Sequence, residues 1–167
     1  MGLNLVLLKK QYLEFLRKTR NDPRIAEHLF IDVHITKEAQ QKWYAQCYSK
    51  DETYLIFIAI DGSLLVGYGQ ITHIDSINRS CELGFCIAPE FHGNGYGKIL
   101  VDHLVEYAFE ELEMHRVYLE VFAINVRAQD IYEKCRFKRE GVLRDKILKN
   151  DRFRDVLIMS IIKRDEQ

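Results

Sequence analysis

Proline is nearly absent: Pro23 and Pro89 are the only two in 167 residues, so no proline-rich linker divides the chain. No apolar run approaches the roughly 20 residues of a membrane span. The N-terminal stretch Leu5–Leu8 is broken at once by Lys9-Lys10, too early for a secretory signal. Neither sign of charge dominates, since 24 Lys plus Arg face 25 Asp plus Glu. A global grip on nucleic acid or an acidic membrane is thereby disfavoured, and no basic run with interleaved aromatics compensates. The four cysteines, Cys47, Cys81, Cys86 and Cys135, form no CxxC pair, and the six histidines are scattered. Neither a disulfide framework nor a metal site is expected. What remains is one domain, residues 1–167, expected to be cytoplasmic, with its thiols serving as small core residues.

Periodicity supplies the elements. Leu3–Leu8 reads as a strand and Gln11–Thr19 as a helix, broken by Asn21-Asp22-Pro23. Thr36 caps a second helix running to about Ser49, with Trp43 and Cys47 on one face. Tyr54–Ile60 and Leu64–Thr72 are strands around the hairpin signal Asp61-Gly62-Ser63. Ser80–Ala88 is a strand stopped by Pro89. Ile99–Leu112 carries Leu100, Leu104 and Ala108 on a helical stripe. Val117–Ala123 is a strand, Val126–Cys135 a helix capped by Asn125, and Val142–Leu148 and Val156–Ile162 close the chain as strands. The order β-α-α-β-β-β-α-β-α-β-β is mixed α/β, too irregular for a doubly wound nucleotide fold.

Between the strand Ser80–Ala88 and the long helix lies His92-Gly93-Asn94-Gly95-Tyr96-Gly97-Lys98. Glycines accept backbone angles that other residues resist, and without side chains they admit a phosphate close to the chain. The unpaired N–H groups of the following helix then face the anion, with Lys98 adding a cation. A tight turn with no ligand is the plainer reading. A P-loop is excluded because Ile99 stands where its Ser or Thr belongs. The glycine spacing at 93, 95 and 97 does not match a dinucleotide fingerprint.

Strand alternation puts Glu82, Gly84 and Cys86 on one face and Leu83, Phe85 and Ile87 on the other. A carboxylate inside such a strand is paired, most plainly with a lysine or arginine at an edge, solvated through a cleft, or raised in pKa, and the last state suits a general base for an ammonium nucleophile. Asn125 serves as a helix cap or as an amide contact to a ligand. Tyr132 is a core aromatic or a phenol able to protonate a departing thiolate, since the two pKa values lie within about two units.

Strand, [QR]xxGx[GA], helix, strand and NxxAxxxYExxxF together resemble the GNAT superfamily of N-acetyltransferases. The last motif here runs from Asn125 through Ala128, Tyr132 and Glu133 to Phe137. The resemblance spans nearly the whole chain. It implies an α/β (α+β) fold: a splayed, mixed, mostly antiparallel sheet of six to seven strands flanked by four helices. It also implies acetyl-CoA as co-substrate and direct attack by an amine on the thioester. The backbone N–H groups of Cys86 and Ala88, flanking Ile87, would bind the acetyl carbonyl and pantetheine, with Cys86 N–H as the oxyanion donor. The amides of Gly93, Asn94, Gly95, Tyr96, Gly97 and Lys98 would hold pyrophosphate, with His92, Asn125 and Arg127 beside them. Glu82 falls at the general-base position and Tyr132 at the general-acid position.

Two positions depart from the pattern. His92 replaces Gln or Arg, and its imidazole is expected to donate a weaker bond to phosphate. Cys135-Arg136 replaces a small-Gly pair before Phe137. Thr19–Pro23, Thr36 with Trp43, and Glu140–Asp145 with Asp155–Leu157 resemble the RimJ/RimL-type subgroup, including its branch acting on UDP-linked 4-amino-4,6-dideoxy sugars. The acceptor expected is a small amine or amino sugar, with a (ribosomal) protein N-terminus as the alternative and a homodimer as the assembly. A non-catalytic acyl-CoA-binding module is the alternative from another class, disfavoured by retention of Glu82 and Tyr132. The loops Arg24–Ile35 and Thr72–Asn78 are expected to shape the acceptor pocket, with Asp32, Glu52 and Asp75 as candidate ammonium partners.

Overall fold

The computed structural model describes residues 2–31 and 34–166. Its strands are β1 (Leu3–Leu7), β2 (Leu55–Asp61), β3 (Leu64–Asp75), β4 (Ser80–Ile87), β5 (Arg116–Phe122), β6 (Lys138–Lys149) and β7 (Arg152–Ile162). They form a single sheet in the order β1-β2-β3-β4-β5-β7-β6, antiparallel throughout except for β4 and β5. That parallel pair needs a crossover, supplied by the long helix between them. The helices are α1 (Leu13–Asn21), α2 (Pro23–Ala26), α3 (Lys37–Gln46), α4 (Tyr96–Glu110) and α5 (Val126–Lys134).

The one-turn α2 was not expected. Asn21-Asp22-Pro23 ends α1 but also starts a helix, because the Asp22 side chain accepts from Arg24 N–H and Pro23 sits at the first helical position. Thr36 caps α3 through Ala39 N–H, at 3.1 Å. Cys47, read as a core thiol, is exposed at the end of that helix, whereas the other three cysteines are buried. Strand β6 runs longer than its apolar pattern suggested because it is the sheet edge. Most of its residues face solvent, so alternation is weak there. Asn150 and Asp151 join β6 to β7 with φ of 50° and 56°, the left-handed pair that follows the twist of a two-residue hairpin.

Core packing divides between the two faces of the sheet. On one, α4 presents Leu100, Leu104 and Ala108, all fully buried, against Phe57, Leu83 and Leu119. On the other, Leu13 and Leu16 of α1 cover Ile56, Ile58, Tyr68 and Cys86. Full burial of each such leucine contributes about 1.5–3 kcal/mol.

Strand β4 pairs with β5 only over Ser80–Glu82 and Arg116–Tyr118, while β5 stays paired with β7 along its whole length. Beyond Glu82 the two strands part, and a fork opens at the centre of the sheet. Among the described residues, no helix is long and apolar enough to cross a membrane.

Candidate active site

The fork opens into a cavity of about 1030 Å³. Of the residues expected to act in catalysis or to hold the coenzyme, all line it except Ala88 and Asn94. On the α4 side lie the glycine turn, Asn125, Arg127 and Tyr132. On the α1 side lie Arg20, Tyr54, Tyr68, Gln70 and the segment 24–31, and Glu82 and Glu120 also line the cavity.

The turn at the start of α4 owes its shape to Gly93 and Gly95, with φ of 85° and 82°. A Cβ on either would meet nothing within 4 Å, so backbone angle and not space demands glycine there. Gly95 caps α4 without a side-chain bond, which leaves the first-turn N–H groups directed outward. Gly97 is glycine for a different reason, since a Cβ would lie 3.0 Å from Ile131 Cδ1 and 3.2 Å from the Phe85 ring. Lys98 pairs with Asp102 at 2.5 Å. Tyr96 turns its ring away and donates to Asp61 at 2.6 Å.

His92 is placed differently from expectation. Its Nδ1 lies 3.1 Å from an Arg127 guanidinium nitrogen and its Nε2 lies 2.8 Å from Ile87 O. A guanidinium only donates, so Nδ1 accepts and Nε2 carries the proton given to the carbonyl. Both ring nitrogens are therefore occupied within the protein, which leaves the imidazole no free N–H for the bond to phosphate expected of it. The ring instead brings Arg127 beside the turn.

The edge amides need a correction of one residue. Ala88 N–H donates to Val66 O at 2.9 Å, continuing the register that sets Cys86 opposite Tyr68. Bonded pairs alternate along an antiparallel ladder, so Cys86 N–H also points at β3. The amides turned toward the fork are those of Phe85 and Ile87. Cys86 and Ala88 thus do not offer the amides expected of them, and Cys86 loses its place as oxyanion donor. Its thiol is buried and pushed up to about 12, by burial first, so it stays protonated and is not a nucleophile.

Glu82 is half-buried. Its Oε2 lies 2.8 Å from Nδ1 of His73, not against the Lys or Arg of the plain reading. Burial raises its carboxyl above the usual range, His73 and Lys146 oppose this, and Glu120 adds to it. Tyr132 is 5% exposed, with its ring edge-on to Phe85 at 5.4 Å. Burial, then Cys135, Glu82 and Cys86, raise the phenol far above its ordinary value. It is a proton donor at any physiological pH. Asn125 does cap α5, accepting from Ala128 N–H at 3.2 Å, and it also lines the cavity.

Several wall residues carried no legible signal. Arg20 bonds Tyr68 Oη and Gln70 Oε1, both at 3.3 Å, and lies 5.0 Å from the Tyr68 ring. Alternation on β3 places Tyr68 and Gln70 beside Cys86 and Gly84, but only once the register is known. Of the candidate ammonium partners, Asp75 accepts from Ile77 and Asn78 in its own turn. Glu52 is an exposed turn residue, and Asp32 lies outside the described residues. The 72–78 loop does not line the cavity. Part of it is the end of β3, and it contributes through His73 on Glu82.

A forked sheet, a glycine turn opening a helix, and a carboxyl and a phenol in one cavity define the site. Residues 3–138 match the acetyltransferase (GNAT) domain family. The chain belongs to that family. A spermidine N(1)-acetyltransferase of Vibrio cholerae is 30% identical over 162 residues, 96% of this chain and 93% of that protein. The crystal structure of the Vibrio cholerae spermidine N-acetyltransferase in complex with CoA and spermine superposes with a TM-score of 0.93. It is 29% identical and covers 98% of this chain and 96% of its own. The spermidine N(1)-acetyltransferase of Escherichia coli K12 is 26% identical, over 79% of this chain and 63% of its own length. As a GNAT-domain enzyme, the chain transfers acetyl from acetyl-CoA to an amine.

The RimJ/RimL-type and amino-sugar assignment is overturned by these whole-chain matches to spermidine acetyltransferases. The segments that suggested it do structural work. Asn21 holds both backbone groups of Ile35, at 2.7 and 2.9 Å, Asp22 caps α2, and Asp155 accepts from Asp145 N–H. Such residues shape loops and do not report the acceptor.

Proposed function

We propose that this enzyme acetylates a primary amine of a polyamine by direct attack on acetyl-CoA, with Glu82 as general base and Tyr132 as general acid. The observation that carries the reading is that one fork holds three things at once: unpaired edge amides at Phe85 and Ile87, a raised carboxyl, and a protonated phenol. The glycine turn and Arg127 would take the coenzyme's pyrophosphate on the α4 side. The thioester carbonyl would then lie at the edge amides, which stabilise the oxyanion. The amine enters from the α1 side, gives a proton to Glu82 and attacks, and Tyr132 protonates the leaving thiolate. His73, 72% exposed at its side chain, links Glu82 to solvent for release of that proton.

The polyamine acceptor is supported by the similarity to spermidine acetyltransferases and by two carboxylates, Glu82 on β4 and Glu120 on β5, that border the cavity. One observation favours a second acceptor class. Arg20 lines the same wall and, among the described residues, bonds the neutral Tyr68 and Gln70, a charge suited to an amine that also carries a carboxylate. The deciding experiment is thiol release from acetyl-CoA with spermidine, spermine, an N-terminal peptide and a set of amino acids. Turnover with the polyamines alone supports the first reading. Preference for amino acids supports the second, and coenzyme binding without transfer to any amine would refute both.

A further inference from the structure

Lys149, the last residue of β6, is a lysine that is 5% exposed. Its ammonium donates to three backbone carbonyls of one segment: those of Ala26, at 2.5 Å, of Leu29, and of Ile31, at 3.1 Å. It also sits 5.9 Å from the centre of the Phe122 ring. Phe30, from the same segment, packs edge-on against Phe122 at 4.8 Å. An ammonium has three donors and no acceptor, and here each N–H has a carbonyl to meet. Residues 27–31 have no helix or strand of their own. Among the described residues, their backbone N–H bonds reach back to α2, from Glu27, His28 and Leu29 to Pro23, Ile25 and Ala26.

This segment is part of the wall of the acceptor side. Ile25, Glu27, His28, Leu29, Phe30 and Ile31 all border the cavity. Its conformation is therefore held from the far end of the chain, by a residue 118 to 123 positions away. We infer that Lys149 is the positioning residue that sets the acceptor-side wall and thereby decides which amines reach the fork, without itself touching acceptor or coenzyme. The inference rests on the acceptor entering from the α1 side, as proposed above. A solvated lysine would gain little from carbonyls, whereas a buried one must have them. The interaction thus binds in both directions: the segment satisfies the charge, and the charge orders the segment.

The test compares Lys149→Met, which keeps the aliphatic stem and removes the donors, with Lys149→Arg, which keeps a cation. Hydrogen exchange read by mass spectrometry is the first measurement. Exchange in residues 25–31 is expected to quicken at least tenfold in Lys149→Met, with the 92–98 turn unchanged, and to recover partly in Lys149→Arg. Kinetics with spermidine and acetyl-CoA are the second. The acceptor KM is expected to rise at least tenfold, with kcat and the acetyl-CoA Kd within twofold of the parent. Unchanged exchange in residues 25–31 would overturn the inference, as would an equal loss of acetyl-CoA affinity. If the parent enzyme does not acetylate spermidine, the acceptor reading fails while the exchange result still decides the role of Lys149. Should Lys149→Met not fold, Lys149→Gln, with two amide N–H donors, carries the same comparison with a smaller expected change.

Discussion

Replacing Tyr132 by Phe removes one oxygen from a ring held on two sides by aromatic neighbours. Phe85 meets it at 5.4 Å and Phe137 at 5.6 Å, and Tyr132 is among the residues lining the cavity. The fold should barely register the loss. A stability change within about 0.5 kcal/mol is expected, less than about 2 °C in Tm for a chain of this length. Chemistry should register it strongly. The phenol is kept protonated by burial first, with Cys135, Glu82 and Cys86 adding to the effect, and CoA leaves as a thiolate. Positioned acids typically contribute 10²–10⁴-fold. A thiolate is a tolerable leaving group, which places this case near the lower end, about 100-fold, or about 2.7 kcal/mol in barrier. The assay is CoA release under saturating acetyl-CoA and acceptor, alongside calorimetric titration of acetyl-CoA. A kcat within twofold of the parent would refute the assignment. A fall in coenzyme affinity equal to the fall in kcat would make Tyr132 a binding contact and not an acid.

Glu82→Gln should lower the rate most at low pH, by about 100-fold near pH 6, with the gap closing as pH nears the amine pKa of roughly 10. A ratio constant across pH would show that the amine arrives deprotonated without help. Because burial raises the Glu82 carboxyl, the folded state favours its protonated form. That contribution is present below the ordinary carboxylate range and is lost as pH rises through the raised value, so Glu82→Gln should melt higher than the parent at pH 8 and equally at pH 4. Gly95→Ala adds no clash but forces a side chain into φ of 82°, at a cost of about 1–2 kcal/mol. Acetyl-CoA affinity should drop roughly tenfold by calorimetry, and unchanged affinity would mean the turn does not contact the coenzyme. Glu140 takes hydrogen bonds from Arg116 and Ser160 that hold its carboxyl down to about 2. This stability is present above about 4.5 and is lost as pH falls toward about 2. With side chains 33% and 39% exposed, solvent limits it to about 1 kcal/mol. Glu140→Gln should therefore be less stable than the parent in urea melts at pH 7 and equal to it at pH 2.

Much of the site could be read from short stretches of chain. His92–Lys98 and Asn125–Phe137 are contiguous, and their meaning lies in spacing along a turn and a helix. Glu82 stood out because a carboxylate interrupts an apolar strand. The amide donors were misplaced by one residue because alternation tells which side chains share a face, not which N–H groups face which neighbour. That choice was made by Ala88 bonding Val66, a contact 22 residues away. The role of His92 is hidden from the sequence for a related reason. Nothing local reveals that Arg127, from α5, occupies its second nitrogen.

By itself the sequence determined the order of the elements, the glycine turn at the head of α4, and the presence of a carboxylate and a phenol at positions 82 and 132. These follow from local backbone preference and from periodicity, which act over a few residues. Tertiary structure alone decided where the sheet parts, which edge amides are left unpaired, and which distant groups meet in the cavity. Arg20 reaches Gln70 across 50 positions and Lys149 reaches Ala26 across 123. Such meetings are settled by strand register and by the requirement that buried polar groups find partners, and neither is written in any one segment of the chain.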